Sequence, residues 1–247
     1  MKLPVAVQLY TLRDETEKDF IGVLEEIAQM GYQGVEFAGY GGLTAEELKL
    51  HLDRLGLKSV GSHVGIEELT NNLEEVITFN QKLGTDYLVC PWAEYEERTD
   101  YINMAQQLTE IGKKCRAEGL QLCYHNHDHE FEEFNGEYGL DLIYEETNSR
   151  LVQAELDTFW IKYAGLDVVS YIKKYSNRCP LIHLKDMEAE SKDYLEIGNG
   201  IMKIDQIILT AKEAGAKWLI VEQDECKGSA IESVKTSFEN LKRLDLA

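Results

Sequence analysis

The chain alternates between two kinds of apolar pattern. Short apolar runs rich in β-branched residues occupy 5–10, 34–38, 57–63, 87–90, 120–125, 151–157, 180–185 and 217–222. Each is followed by a longer stretch whose apolar positions recur at three- and four-residue spacing, the period of a helix with one buried face. The helices so predicted cover 19–30, 44–55, 69–83, 101–118, 139–148, 166–175, 204–214 and 229–244. Phe20, Val23, Leu24 and Ile27 form the apolar face of the first. Thr44, with Glu47 three residues on, is a capping box for the second. Glycines at 31, 56, 84, 119 and 215 stand where helices should stop, because glycine takes the left-handed conformation that closes a helix.

Eight strand–helix units in 247 residues, with no linker and no break in composition, predict a single domain over 1–247. Such alternation calls for parallel strands joined by right-handed crossovers. Eight units close into a (β/α)8 TIM barrel, an α/β fold. The competing doubly wound open sheet usually carries a glycine-rich phosphate loop after its first strand. Here that strand leads into Gln8-Leu9-Tyr10-Thr11-Leu12-Arg13, which contains no glycine. The segment 128–138 is too long, aromatic and acidic for a plain turn and is expected to lie over the barrel mouth.

Charge narrows the choice of partner. Aspartate and glutamate total 45 against 25 lysines and arginines, a net charge of −20. Nucleic-acid binding needs a clustered basic face, and an anionic membrane would repel this chain. Neither partner is expected. Most of the acidity reads as solvated helix surface, and the remainder is available to hold a cation. The start of the chain lacks the apolar core of a signal peptide, and runs such as Trp218-Leu219-Ile220-Val221 are too short to span a bilayer. The five cysteines include no Cys-x-x-Cys pair, which fits a reducing, cytoplasmic setting.

In a barrel the reactive groups sit at the C-terminal ends of the strands. Read in order, those ends give Gln8 and Tyr10, Glu36, His63, Trp92, the run His125-Asn126-His127-Asp128-His129-Glu130, Asp157, His183 with Lys185, and Glu222. All the histidines except His51 are among them. Asp157, His183 and Glu222 each end an apolar strand, where an unpaired charge would be costly. An imidazole with carboxylates and no thiolate suits one divalent ion such as Mn²⁺, Co²⁺, Mg²⁺ or Zn²⁺. Buried carboxylates in a hydrogen-bond network are the plainer alternative. The fourth ligand should come from the fifth strand: His125 at its end, or Glu130 reaching back from the loop. His127 shares the parity of His125 and is a candidate proton carrier, as is Glu130. Lys185 shares the parity of His183 and should meet a substrate hydroxyl or an enolate oxygen. Gln8, Tyr10, Glu36 and His63 are candidate substrate contacts; Glu36 and His63, ending adjacent strands, could form a second acid/base pair and read equally as an ordinary core pair. The turn Gly198-Asn199-Gly200 would let backbone amides and Asn199 approach a substrate.

These residues resemble the xylose-isomerase-like sugar phosphate isomerase/epimerase family over almost the whole chain. The resemblance is carried by 34–38 (Gly-Val-Glu-Phe-Ala), Ser62-His63, 124–131 (Tyr-His-Asn-His-Asp-His-Glu-Phe), 156–160 (Leu-Asp-Thr-Phe-Trp), 182–186 (Ile-His-Leu-Lys-Asp), 197–200 (Ile-Gly-Asn-Gly) and 220–222 (Ile-Val-Glu). It implies a TIM barrel with one divalent ion held by Glu, Asp, His and Glu from the last four strands. Asp157, His183 and Glu222 match by position. His125 stands where the first glutamate is expected, which is a departure. Trp160 stands where ketose 3-epimerases of the family have a substrate-binding histidine, so it becomes a substrate contact of another kind and speaks against that activity. Apurinic-site endonucleases, similar in fold, also need a histidine there.

The expected function is a metal-dependent isomerase or epimerase acting on a sugar, keto-sugar or polyol through an enediolate. Elimination from the same enolate would instead make the protein a dehydratase or a keto-glycoside lyase or hydrolase. A sugar-binding barrel without turnover is the non-enzymatic alternative. The expected partner is a small sugar, and a homodimer is compatible with such a barrel.

Overall fold

The structure is a computed structural model that describes residues 2–93 and 95–245. Its barrel strands are β1 (Val5–Gln8), β2 (Gly34–Phe37), β3 (Lys58–His63), β4 (Tyr87–Cys90), β5 (Gln121–His125), β6 (Val152–Asp157), β7 (Leu181–Leu184) and β8 (Trp218–Val221). They pair in parallel in that order, and β8 closes on β1. The closed barrel predicted from the alternation is therefore present.

The helices between strands are α1 (Arg13–Met30), α2 (Ala45–Leu55), α3 (Ile66–Asn71), α4 (Leu73–Leu83), α5 (Arg98–Ala117), α6 (Gly139–Glu145), α7 (Thr158–Tyr163), α8 (Val168–Lys174), α9 (Ile204–Glu213) and α10 (Ala230–Arg243). The Thr44–Glu47 capping box forms, with Glu47 Oε2 accepting from Thr44 N at 2.9 Å. Two expected boundaries differ for local reasons. α1 begins six residues before 19, but its helical geometry breaks at Asp19, whose Oδ1 accepts from Gly22 N at 2.9 Å and restarts the helix. The stretch expected to run from 69 to 83 is two helices meeting at Asn72, which leaves helical geometry at φ −128° and ψ 25°. No helix among the described residues is long and apolar enough to cross a membrane.

Strand alternation divides the barrel interior into layers. The lower layer is apolar and comprises Ala6, Val60, Val89, Cys123, Leu181 and Ile220. Two positions further along the strands the inward residues turn polar: Gln8, Glu36, His125, His183 and Glu222. The mouth carries two short ribbons. One pairs Glu133–Phe134 with Glu137–Tyr138 inside the expected 128–138 excursion, and the other pairs Asp186–Met187 with Tyr194–Leu195.

Candidate metal centre and active site

The structure brings His125, Asp157, His183 and Glu222 together. Their ligating atoms lie within 4.8 Å of one another, and all four side chains are buried. Asp157 divides its oxygens between two tasks. Oδ1 caps α7, accepting from Phe159 N at 2.8 Å, while Oδ2 faces the cluster. The expectation placed no helix here, yet Asp157 creates it, because an aspartate at a strand end is also an N-cap.

Lys185 shares the same pocket. Its Nζ lies 2.8 Å from Asp157 Oδ2, 2.9 Å from Glu222 Oε2 and 2.9 Å from Asp224 Oδ1. Burial alone would lower its pKa, but the three carboxylates win and hold it well above the ordinary lysine value. Burial pushes the Asp157 carboxyl up to about 6, against the opposing pull of Lys185 and His183. Burial also favours protonated Glu222, but Lys185 and His183 hold it well below the usual carboxylate range.

Beneath this set lies a residue that the strand-end reading missed. Glu155 is two positions before Asp157 on β6 and so points into the same interior, one layer deeper. Its Oε1 is 2.8 Å from His63 Nε2, 2.9 Å from His125 Nδ1 and 3.0 Å from His183 Nε2. The sequence signal was available: Gln-Ala-Glu-Leu-Asp alternates, so an inward Asp157 requires an inward Glu155.

Glu36 belongs to the same lower level, with Oε2 2.9 Å from Gln8 Nε2, 2.7 Å from His183 Nε2 and 3.2 Å from His63 Nε2. Gln8, Glu36 and His63, expected as substrate contacts, thus meet one another, Glu155 and His183 below the mouth, while Glu36 Oε1 is left without a partner. Burial opposes a charged His63, yet Glu36 and Glu155 push its pKa up to about 10. His183 is likewise raised, by Glu155, Glu222 and Glu36 against its burial.

These carboxylates test whether a cation fits. Glu36, Glu155, Asp157 and Glu222 are buried against the single ammonium of Lys185. The same carboxylates raise His63 and His183 toward their charged forms, which offsets two of these charges and leaves one negative charge in excess. Glu36 Oε1 and Glu155 Oε2 have no hydrogen-bond partner, and Asp157 Oδ2 has Lys185 nearby but accepts no aligned hydrogen bond. Unpartnered buried carboxylate oxygens with imidazoles among them suit a divalent ion.

Two expected site residues lie elsewhere. Glu130 accepts from Tyr124 Oη at 2.6 Å and from His127 N at 2.8 Å. Tyr124 is the neighbour of His125 on β5 and points to the opposite face, so it draws Glu130 away from the cluster. Glu130 therefore anchors the loop and lies outside the group of ligand atoms that His125, Asp157, His183 and Glu222 bring together. Asn199 is exposed and bonds to Glu196 and Asn240, while the amides of Gly198 and Gly200 donate to Asp186 Oδ2 at 2.8 and 3.0 Å. The turn's donors are committed to the protein itself, which removes the reason to place substrate there.

The rim is aromatic. Trp92 is exposed and packs against His127 with ring centres 4.9 Å apart. His127 and Lys185 Nζ lie 5.7 and 5.8 Å from the ring centre of Trp160. Burial, reinforced by His125 and Lys185, pushes the His127 pKa down to about 2, and its Nδ1 has no hydrogen-bond partner. Tyr10 is exposed, with the Arg13 guanidinium over its ring.

A closed parallel barrel with imidazoles and carboxylates gathered at the C-terminal ends of its strands defines a TIM-barrel protein with a candidate divalent-metal site. The chain belongs to the xylose isomerase-like TIM barrel family, whose pattern matches residues 24–244. It is 27% identical, over an alignment 293 positions long, to an inosose dehydratase of Mesomycoplasma hyopneumoniae strain 7448, covering 99% of this chain and 96% of that protein. Among solved structures it resembles a sugar phosphate isomerase/epimerase from Parabacteroides distasonis, with TM-score 0.87, 24% identity and coverage of 98% and 94%. It also resembles the IolI protein with a bound zinc atom, with TM-score 0.79, 16% identity and coverage of 100% and 98%.

Proposed function

We propose that the protein is a divalent-metal-dependent lyase of the dehydratase type, acting on a keto-cyclitol or keto-sugar. The observation that carries this reading is the pairing of a neutral base with an ammonium beside the cluster. His127 presents an unpartnered imidazole nitrogen, and Lys185 stands on the same tryptophan ring, Trp160. The full-length likeness to an inosose dehydratase supports elimination over simple isomerisation. His125, Asp157, His183 and Glu222 would hold the ion, which when bound polarises neighbouring carbonyl and hydroxyl oxygens.

The chain's own groups account for the proton. His127 takes the proton next to the carbonyl through its unpartnered Nδ1, and the negative charge that forms beside it is what would stabilise the imidazolium that burial otherwise disfavours. Lys185 donates to the oxygen on which negative charge collects. His127 then returns the proton to the departing hydroxyl, so the net change is loss of one water. The face of Trp160 covers the reacting region and limits access of bulk water.

The test is incubation of the manganese-loaded protein with an inosose and with keto-sugars in D₂O, followed by NMR. Loss of water with formation of an unsaturated or dicarbonyl product is expected, and His127→Gln should slow it by about 100-fold or more. Deuterium exchange without loss of water would refute elimination and leave the isomerase or epimerase reading. Absence of both would leave a sugar-binding barrel.

A further inference from the structure

Beside the mouth, the connections that follow three neighbouring strands enclose a cleft of about 520 Å³, a volume in the range of small-molecule sites. α7 follows β6, the ribbon 186–195 follows β7, and residues 225–227 follow β8, so the cleft lies on the face of the barrel that carries the strand ends. We infer that this cleft is a second binding site, taken by a neutral sugar ring that the substrate carries next to the ring held at the mouth. The inference rests on the reading of the mouth as a site for a keto-sugar, and it narrows that substrate to one with two rings.

The cleft and the mouth share a wall. Trp160 and Tyr194 line the cleft, and their ring centres lie 5.8 and 5.9 Å from Lys185 Nζ. The Trp160 ring also stands 5.7 Å from that of His127. Asp224, which accepts from Lys185 Nζ at 2.9 Å, leads directly into Glu225, Cys226 and Lys227 of the cleft. A ligand held by Lys185 is thus one aromatic ring away from this second space.

The lining selects the occupant. Phe159, Trp160, Tyr163 and Tyr194 supply four aromatic rings. Phe159 and Tyr194 stack with ring centres 4.5 Å apart, and Tyr163 meets Trp160 edge-on at 5.4 Å. Such faces pack against the C–H faces of a ring. Around them stand Lys192 and Lys227 with Asp193 and Glu225, two charges of each sign, so the cleft has no net charge. Lys227 Nζ is paired with Asp193 Oδ2 at 3.0 Å. A phosphate or carboxylate would need cations in excess, which the cleft does not offer. Lys192 Nζ lies 4.6 Å from the centre of the Tyr163 ring and donates to Tyr163 O at 3.3 Å, which leaves two of its three N–H groups for ligand hydroxyls. A wholly apolar ring would strip water from this charged rim and return no hydrogen bonds, which is costly. Aromatic faces with a balanced polar rim therefore favour a sugar over an aryl group.

The experiment is calorimetric titration of the manganese-loaded full chain with glucose, a glucose phosphate, a nitrophenyl glucoside and the disaccharides cellobiose, maltose and sucrose. At least one disaccharide should bind about tenfold or more tighter than glucose. Tyr163→Ala should abolish that preference, and Tyr163→Phe, which keeps the ring, should retain it. Circular dichroism checks folding, and Lys192→Met, which should weaken the preferred disaccharide severalfold, carries the result if Tyr163→Ala does not fold. No disaccharide preferred over glucose, or a preference unchanged in Tyr163→Ala, would overturn the site. So would tightest binding of the glucose phosphate, which marks an anion site, or a gain confined to the nitrophenyl glucoside, which marks an aryl site. Binding is read without turnover, so the two proposals separate. A disaccharide preference in a protein that never releases water upholds the cleft and removes elimination; dehydration of an inosose by a protein without that preference does the reverse.

Discussion

Lys185→Met isolates the electrostatics of the barrel mouth. The ammonium is 1% exposed and touches three carboxylates, of which Asp224 is 20% exposed and Asp157 and Glu222 are 0% and 6% exposed. Asp224 can turn to water, so the loss falls on the other two. Removing one partner of a buried ion pair typically costs about 3–5 kcal/mol, because the remaining charge stays desolvated. Against a total stability of about 5–15 kcal/mol, that is a large share. Urea denaturation of the metal-free protein at pH 8 should show a loss in that range. The loss should shrink at pH 5, since the Asp157 carboxyl already sits near about 6 with Lys185 present and rises without it. A divalent ion at one hundred times its Kd should recover about 2.7 kcal/mol by mass action. A loss under about 1 kcal/mol at pH 8, or one that does not shrink on acidification, would refute this account of the mouth.

Three further outcomes follow from the same geometry. Gly61→Ala drives a methyl group to 2.4 Å from Glu36 Oε1 and should destabilise by about 1–3 kcal/mol, read as a lower melting temperature; an unchanged melt would mean that Glu36 moves freely. Glu130 is buried, and that burial raises its carboxyl above the ordinary value despite the bonds from Tyr124 and His127. A raised folded pKa gives stability that is complete below the unfolded pKa and lost as pH rises through the folded one. The urea midpoint of the wild type should therefore fall relative to Glu130→Gln from about pH 4.5 upward, and parallel curves would refute the shift. Chelation of the metal-loaded protein should cost about 2.7–4.1 kcal/mol if the ion was present at one hundred to one thousand times its Kd, a melting shift of roughly 5–16 °C for a chain of this size. Asp157→Asn should blunt that response.

The barrel and the upper cluster were legible because both rest on periodicity. Inward residues recur every second position, so His183 and Lys185, or His125 and Cys123, declare a shared face without any structure. The same rule pointed to Glu155, but reading only the strand ends stopped one residue pair too soon. Glu130 and Asn199 failed for a different reason. Both lie on loops, where no period fixes direction, and each is held by a tertiary partner invisible in local sequence: Tyr124 and His127 for Glu130, Asn240 and Glu196 for Asn199. The helix α7 was missed because Asp157 was read as a ligand alone, although one carboxylate has two oxygens and here uses them separately.

The acidity of the chain divides into two kinds with different consequences. Exposed carboxylates on helices, such as Glu46 beside Lys82 at 2.9 Å, are solvated and contribute little. The interior ones are expensive to bury and so constrain one another: Glu36, Glu155, Asp157 and Glu222 fix the orientations of His63, His125, His183 and Lys185 through direct contacts. The apolar layer of Ala6, Val60, Val89, Cys123, Leu181 and Ile220 beneath them seals the barrel floor. Charge placed above that floor cannot relax toward water from below, so its balance must come from protons or cations entering at the mouth. That is why metal content and fold stability should move together in this protein, and why a variant that relieves the interior charge changes both.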